Sequence, residues 1–112
     1  QALVLMNDVQ FFEAARKFGE RVMKEGGKGT EERIRFIYRT ALGRLPSESE
    51  KSSILNLYNE HLKDFSNSKD TVSGILSSGE SPLDESLNAT ELASWTMITH
   101  LILNLSETVT KG

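Results

Sequence analysis

The chain has 112 residues, 38% of them hydrophobic and 26% charged, which suits a soluble globular domain with a modest core and excludes the composition of a disordered segment. Its net charge of −3 gives no general electrostatic reason to expect nucleic acid or an anionic membrane as partner. Without cysteine there is no disulfide framework, thiolate–metal site or thiol nucleophile, and no apolar run approaches the roughly 20 residues of a membrane span.

The charge is unevenly spread. Residues 1–45 carry nine Lys/Arg against six Asp/Glu, and residues 46–112 carry four against ten. All six arginines lie between Arg16 and Arg44. Such asymmetry follows from helix-surface composition and names no ligand. The opening residues, Gln1 through Met6, carry neither an initiator methionine nor a basic leader, so the chain is expected to be cut from a longer polypeptide.

In chain order, Asp8 is a candidate cap for a first helix, because its carboxylate can accept from the free amides of the first turn. Val9, Phe12, Ala15, Phe18 and Val22 then form a helical stripe that reaches about Glu25. Gly26-Gly27-Lys28-Gly29 stops it, since glycine readily takes the left-handed conformation that closes a helix. Thr30 opens a second helix as its cap, with Glu31 and Glu32 placed for the positive helix start. Its buried face is Ile34, Ile37, Tyr38, Ala41 and Leu42, and Gly43 ends it.

Ser47 with Glu50 three residues on reads as a capping box, and Ile54, Leu57, Tyr58, Leu62 and Phe65 give a third stripe. Ser66-Asn67-Ser68 breaks that helix. A short fourth helix follows with Val72, Ile75 and Leu76, weakened by Gly74. Gly79 through Leu87 is irregular, and Asn88 or Thr90 starts a last helix running to about Leu105. That helix is the most apolar, with Leu92, Trp95, Ile98, Ile102 and Leu105 on one face, and is expected to lie against most of the others. Strand signals are weak, Leu3-Val4-Leu5 being the one short β-like run. The expected fold is therefore all-α, a small helical bundle of four to five helices.

Residues able to do chemistry are sparse. His61 and His100 stand on different helices without the matched spacing of a zinc site, and Gly26-Gly27-Lys28-Gly29 follows a helix and lacks the phosphate-loop pattern. The thirteen serines include no nucleophile elbow. No cofactor or metal is expected. The most specific local pattern is Arg39 with Gly43-Arg44-x-Pro46 and Glu50. It reads first as a braced corner in which Arg44 pairs with Glu50, and otherwise as arginines gripping an anion. Thr96, His100, Asn104 and Glu107 share one polar stripe of the last helix, by default its solvated face or one that another domain covers. Trp95 falls on the apolar face and reads as a core anchor.

Several segments resemble a known family in order and spacing. They are Gln1-Ala2-Leu3-x-Leu5-x-Asn7-Asp8, Leu42-Gly43-Arg44-x-Pro46-Ser47-x-x-Glu50, Gly79-Glu80-Ser81-Pro82, and Ala93-Ser94-Trp95-Thr96 through Leu103-Asn104-Leu105-x-Glu107-Thr108. Together they resemble the C-terminal part of a planctomycete family of large multidomain proteins catalogued as domains of unknown function. The resemblance implies a helical C-terminal module of a much longer polypeptide, often accompanied by a c-type cytochrome domain, and export to the periplasm or cell surface. It carries no established catalytic residues. The haem-attachment motif C-x-x-C-H is absent from the sequence, so any redox centre would lie upstream.

Residues 1–112 are accordingly expected to form a single helical domain, a non-catalytic structural or interaction module that packs on upstream domains of its own chain or on a protein partner, without membrane insertion. The other reading, from a different class, is a ligand-binding or accessory enzymatic domain for an acidic or sugar-like ligand. In it Arg39, Arg44 and Glu50, or the stripe from Thr96 to Glu107, would complete a pocket.

Overall fold

A computed structural model describes the backbone of residues 9–77 and 82–111 and the side chains of residues 12–77 and 82–106. Five helices run through it and no strand occurs among the described residues: α1 Val9–Glu25, α2 Thr30–Leu42, α3 Glu48–Ser66, α4 Lys69–Leu76 and α5 Ala89–Lys111. The protein is all-α, as the periodicity requires. Asp8 and the run Leu3-Val4-Leu5 lie outside the described residues.

The boundaries follow local chemistry. Gly27, at φ 93°, supplies the left-handed turn after α1. α2 is capped by Gly29, one residue earlier than the threonine hydroxyl suggests, and the Glu32 carboxylate accepts from the Gly29 amide at 2.9 Å. Gly43 closes α2 at φ 71° and donates its amide to the Arg39 carbonyl at 3.1 Å. Ser47 and Glu50 form the reciprocal box: Ser47 Oγ accepts from the Glu50 amide at 3.1 Å, and Glu50 Oε1 from the Ser47 amide at 2.9 Å. Asn88 caps α5, its side-chain oxygen accepting from the Glu91 amide at 2.9 Å. α5 continues past Leu105 to Lys111, since neither glycine nor proline interrupts Ser106 through Lys111.

α5 is the central helix. Leu92, Ala93, Ser94, Trp95, Thr96, Ile98, Thr99 and Ile102 are all buried, which leaves its first three turns almost no solvated face. On one side Trp95, Ile98 and Ile102 join Phe18 and Val22 of α1, Ile34, Ile37 and Tyr38 of α2, and Ile54 and Tyr58 of α3. Trp95 stacks on Tyr58 with ring centroids 4.1 Å apart, so the single tryptophan anchors the core. On another side Leu92 and Ala93 meet Phe65 of α3 and Val72 and Leu76 of α4. α1 runs antiparallel to α5: Phe12 faces His100, Ala15 meets Thr99, and Gly19 meets Thr96 and Leu92. A Cβ on Gly19 would sit 3.2 Å from Thr96 Oγ1 and 3.3 Å from the Thr96 backbone nitrogen. Glycine is what allows the two helices to approach this closely.

Candidate functional site

The corner between α2 and α3 holds the first set of candidate residues. Arg44 clasps Glu50 through two parallel bonds, Nη1 to Oε1 at 2.8 Å and Nη2 to Oε2 at 2.9 Å. The same guanidinium donates to the Leu45 carbonyl at 3.1 Å and lies 5.5 Å from the Tyr38 ring centroid. The hydrogen bond from Arg44 first, and then the Ser47 amide, hold the Glu50 carboxyl down at about 2. A carboxylate so fixed in its ionised form is the reverse of what a general acid requires. Arg39 does not join this corner. Its side chain lines a separate groove with Arg35, Phe36 and Gly27, so Arg39 and Arg44 do not converge.

The second set, on α5, is an interhelical seam through most of its described length. Thr96 is fully buried, and its hydroxyl donates to the Leu92 carbonyl at 2.7 Å. His100 is half-buried, its ring 4.7 Å from that of Phe12 and its Nδ1 3.3 Å from Asn104 Nδ2. Asn104 Nδ2 also donates to the His100 carbonyl at 3.1 Å. Glu107 lies within α5, its side chain outside the described residues. Thr96 and His100 thus face α1 rather than bulk water.

Sequence periodicity passed over a third cluster. Arg16 and Glu20, on α1, are 1% and 4% exposed and pair at 3.0 Å. Glu20 also accepts from the Asp84 amide at 3.2 Å and from Lys17 at 3.3 Å, while Lys24 grips the Asp84 carboxylate at 2.5 Å. These bonds clasp the connection before α5 onto α1. The hydrogen bond from Lys24 first, then those from Ser86, hold the Asp84 carboxyl well below the usual carboxylate range. The available signal was positional. Arg16 and Glu20 stand four apart beside Ala15 and Gly19, on the face that packs against α5.

Two further side chains are shifted by their surroundings. Burial pushes the Tyr58 phenol up to about 12 and holds His61, stacked on Phe65 at 5.3 Å, below its ordinary value. A cavity of about 550 Å³ lies between α4 and the start of α5, walled by Val72, Leu76, Leu83 and Ala89. Lys69 is the one titratable group among its described lining residues. No three His, Asp or Glu side chains among the described residues are grouped as a metal ion would need. Among those residues, no helix is long and apolar enough to cross a membrane.

A family model described as "PSD1: Protein of unknown function (DUF1553)" matches residues 1–58, just over half of the chain. The chain belongs to the PSD1 family. The matched segment ends at Tyr58, within α3, and so contains the Arg44–Glu50 corner, the Arg35/Arg39 groove and the buried Arg16–Glu20 pair. No curated protein and no solved structure matches the chain. PSD1 membership assigns no catalytic role to any of these residues, since the family is itself one of unknown function.

Proposed function

We propose that this PSD1-family chain is a non-catalytic structural and interaction module that packs on upstream domains of the polypeptide carrying it, or on a protein partner. The observation that carries this reading is how the candidate polar groups are employed. Arg44, Glu50, Glu20 and Asp84 are bound to other groups of the same chain, in bonds that hold helices and connections together, and the Thr96 hydroxyl is spent on a carbonyl of its own helix. Large apolar side chains stay outside instead: Leu101 is 38% and Leu105 46% exposed, one turn apart on α5. These two leucines mark the face of α5 on which a partner surface would pack. The planctomycete resemblance adds a longer polypeptide, an accompanying c-type cytochrome domain and a periplasmic or cell-surface location to the proposal.

Recognition of an acidic ligand has one observation in its favour, the unpaired guanidinium groups of Arg35 and Arg39. Amide hydrogen exchange tests the docking reading by comparing this chain alone with the longer polypeptide. Added protection around Leu101 and Leu105 is the expected result, and identical exchange in both would overturn it.

A further inference from the structure

Four of the six arginines have carboxylate partners within the chain: Arg16 with Glu20 at 3.0 Å, Arg21 with Glu25 at 3.3 Å, Arg33 with Glu91 at 3.7 Å and Arg44 with Glu50 at 2.8 Å. Arg35 and Arg39 are the exceptions. Neither makes an ion pair or a side-chain hydrogen bond among the described residues, and they stand one helical turn apart on α2. Like charges at that spacing repel one another and weaken a helix. Both line a groove of about 370 Å³, together with Gly26, Gly27, Phe36 and the carboxylates of Glu25 and Glu32. A Cβ on Gly26 would come within 2.6 Å of the Val22 carbonyl oxygen at the end of α1 and 3.4 Å from Phe36 Cβ, so glycine lets this turn lie against α2.

Two guanidinium groups engaged by no ion pair, beside an aromatic ring, suit a carboxylate, which a guanidinium binds through two parallel bonds. The acidic residues of the groove narrow the choice of anion. Glu25 is engaged by Arg21 at 3.3 Å, and Glu32 accepts from the Gly29 amide at 2.9 Å, yet both remain negative walls. A polyphosphate or a nucleic-acid backbone would press its further charges against them. One carboxylate can sit over Arg35 and Arg39 without doing so.

We infer that Arg35 and Arg39 receive a carboxylate side chain of the protein surface on which this module docks, an inference that rests on the docking reading above. The test follows the guanidinium Nε–H resonances of the chain by NMR during titration with a capped tripeptide that carries one glutamate, Ac-Ala-Glu-Ala-NH2, and separately with inorganic phosphate. The Arg35 and Arg39 signals are expected to shift saturably with the peptide while Arg44, already clasped by Glu50, stays in place. The Gly26 and Gly27 amides that line the groove should shift in step, and the double variant R35K/R39K, which keeps the charge and loses the fork, should abolish that amide response with the rest of its amide spectrum unchanged. Equal shifts at every exposed arginine, or saturation by phosphate alone, would overturn the carboxylate site. In the longer polypeptide the same double variant should weaken docking about tenfold or more. Unchanged docking by the variant removes this site and leaves the docking reading standing. Failure of the unaltered chain to dock removes the reading itself.

Discussion

The Thr99 hydroxyl on α5 donates to the Ala15 carbonyl on α1 across 2.7 Å, joining residues 84 positions apart. It also donates to the Thr96 carbonyl at 3.0 Å, whereas the equally buried Thr96 hydroxyl donates only to the Leu92 carbonyl of its own helix. Two substitutions of the same kind should therefore differ. Thr99→Val is expected to cost about 1 kcal/mol, the net worth of a buried hydrogen bond. Thr96→Val should stay within about 0.5 kcal/mol, because its hydroxyl is a second donor to a carbonyl of its own helix and ties no other helix to α5. Urea denaturation of both variants checks the contrast, and equal losses would contradict the assigned roles.

Breaking the buried ion pair should depend on which partner is removed. Glu20→Ala removes the carboxylate paired with Arg16 and the acceptor of the Asp84 amide, and a loss of about 3 kcal/mol is expected, as for other broken buried pairs. Arg16→Met should cost less, since Glu20 keeps Lys17 and the Asp84 amide. The thermal midpoints of the two variants give the order.

Acid should weaken the α2–α3 corner. Glu50 takes up its proton near pH 2 when folded, against about 4.3 for an unperturbed glutamate. Its contribution is therefore complete above about pH 4.3 and is lost as pH falls toward about 2, where the unfolded chain binds more protons. Asp84, held low by Lys24, acts in the same sense. Urea midpoints measured from neutral pH downward should fall through this window, and Glu50→Gln should flatten part of the slope. A Glu50→Gln profile that parallels the parent at every pH would contradict the brace.

The exposed leucines should matter for association and not for folding. Leu101→Glu and Leu105→Glu are expected to leave stability within about 0.5 kcal/mol, as exposed substitutions usually do. The same changes should weaken docking on the longer polypeptide, which a pull-down with the separately tagged chain would read.

Sequence reading succeeded where chemistry is local. The Ser47–Glu50 box, the Arg44–Glu50 clasp across the turn and Trp95 as core anchor all follow from spacings of a few residues. It failed where a polar side chain is buried by a distant helix. Thr96 was assigned to a solvated or covered stripe because it is polar, yet a hydroxyl that bonds its own helix carbonyl can enter a core, and α1 with Gly19 is what buries it. The burial of Arg16 and Glu20 has the same cause: they pair with each other beneath α5 and the Asp84 connection, and no periodicity shows that. Arg39 was paired with Arg44 because they bracket one helix end. The helix instead places Arg39 with Arg35, four residues back on the same side, while Glu50 takes Arg44.

The most direct test of the docking account is calorimetric titration of the 112-residue chain with the rest of the polypeptide implied by the resemblance. The account predicts micromolar or tighter binding with a negative heat-capacity change from burial of Leu101 and Leu105. No detectable heat at several temperatures, from a chain that circular dichroism shows to be folded, would contradict it.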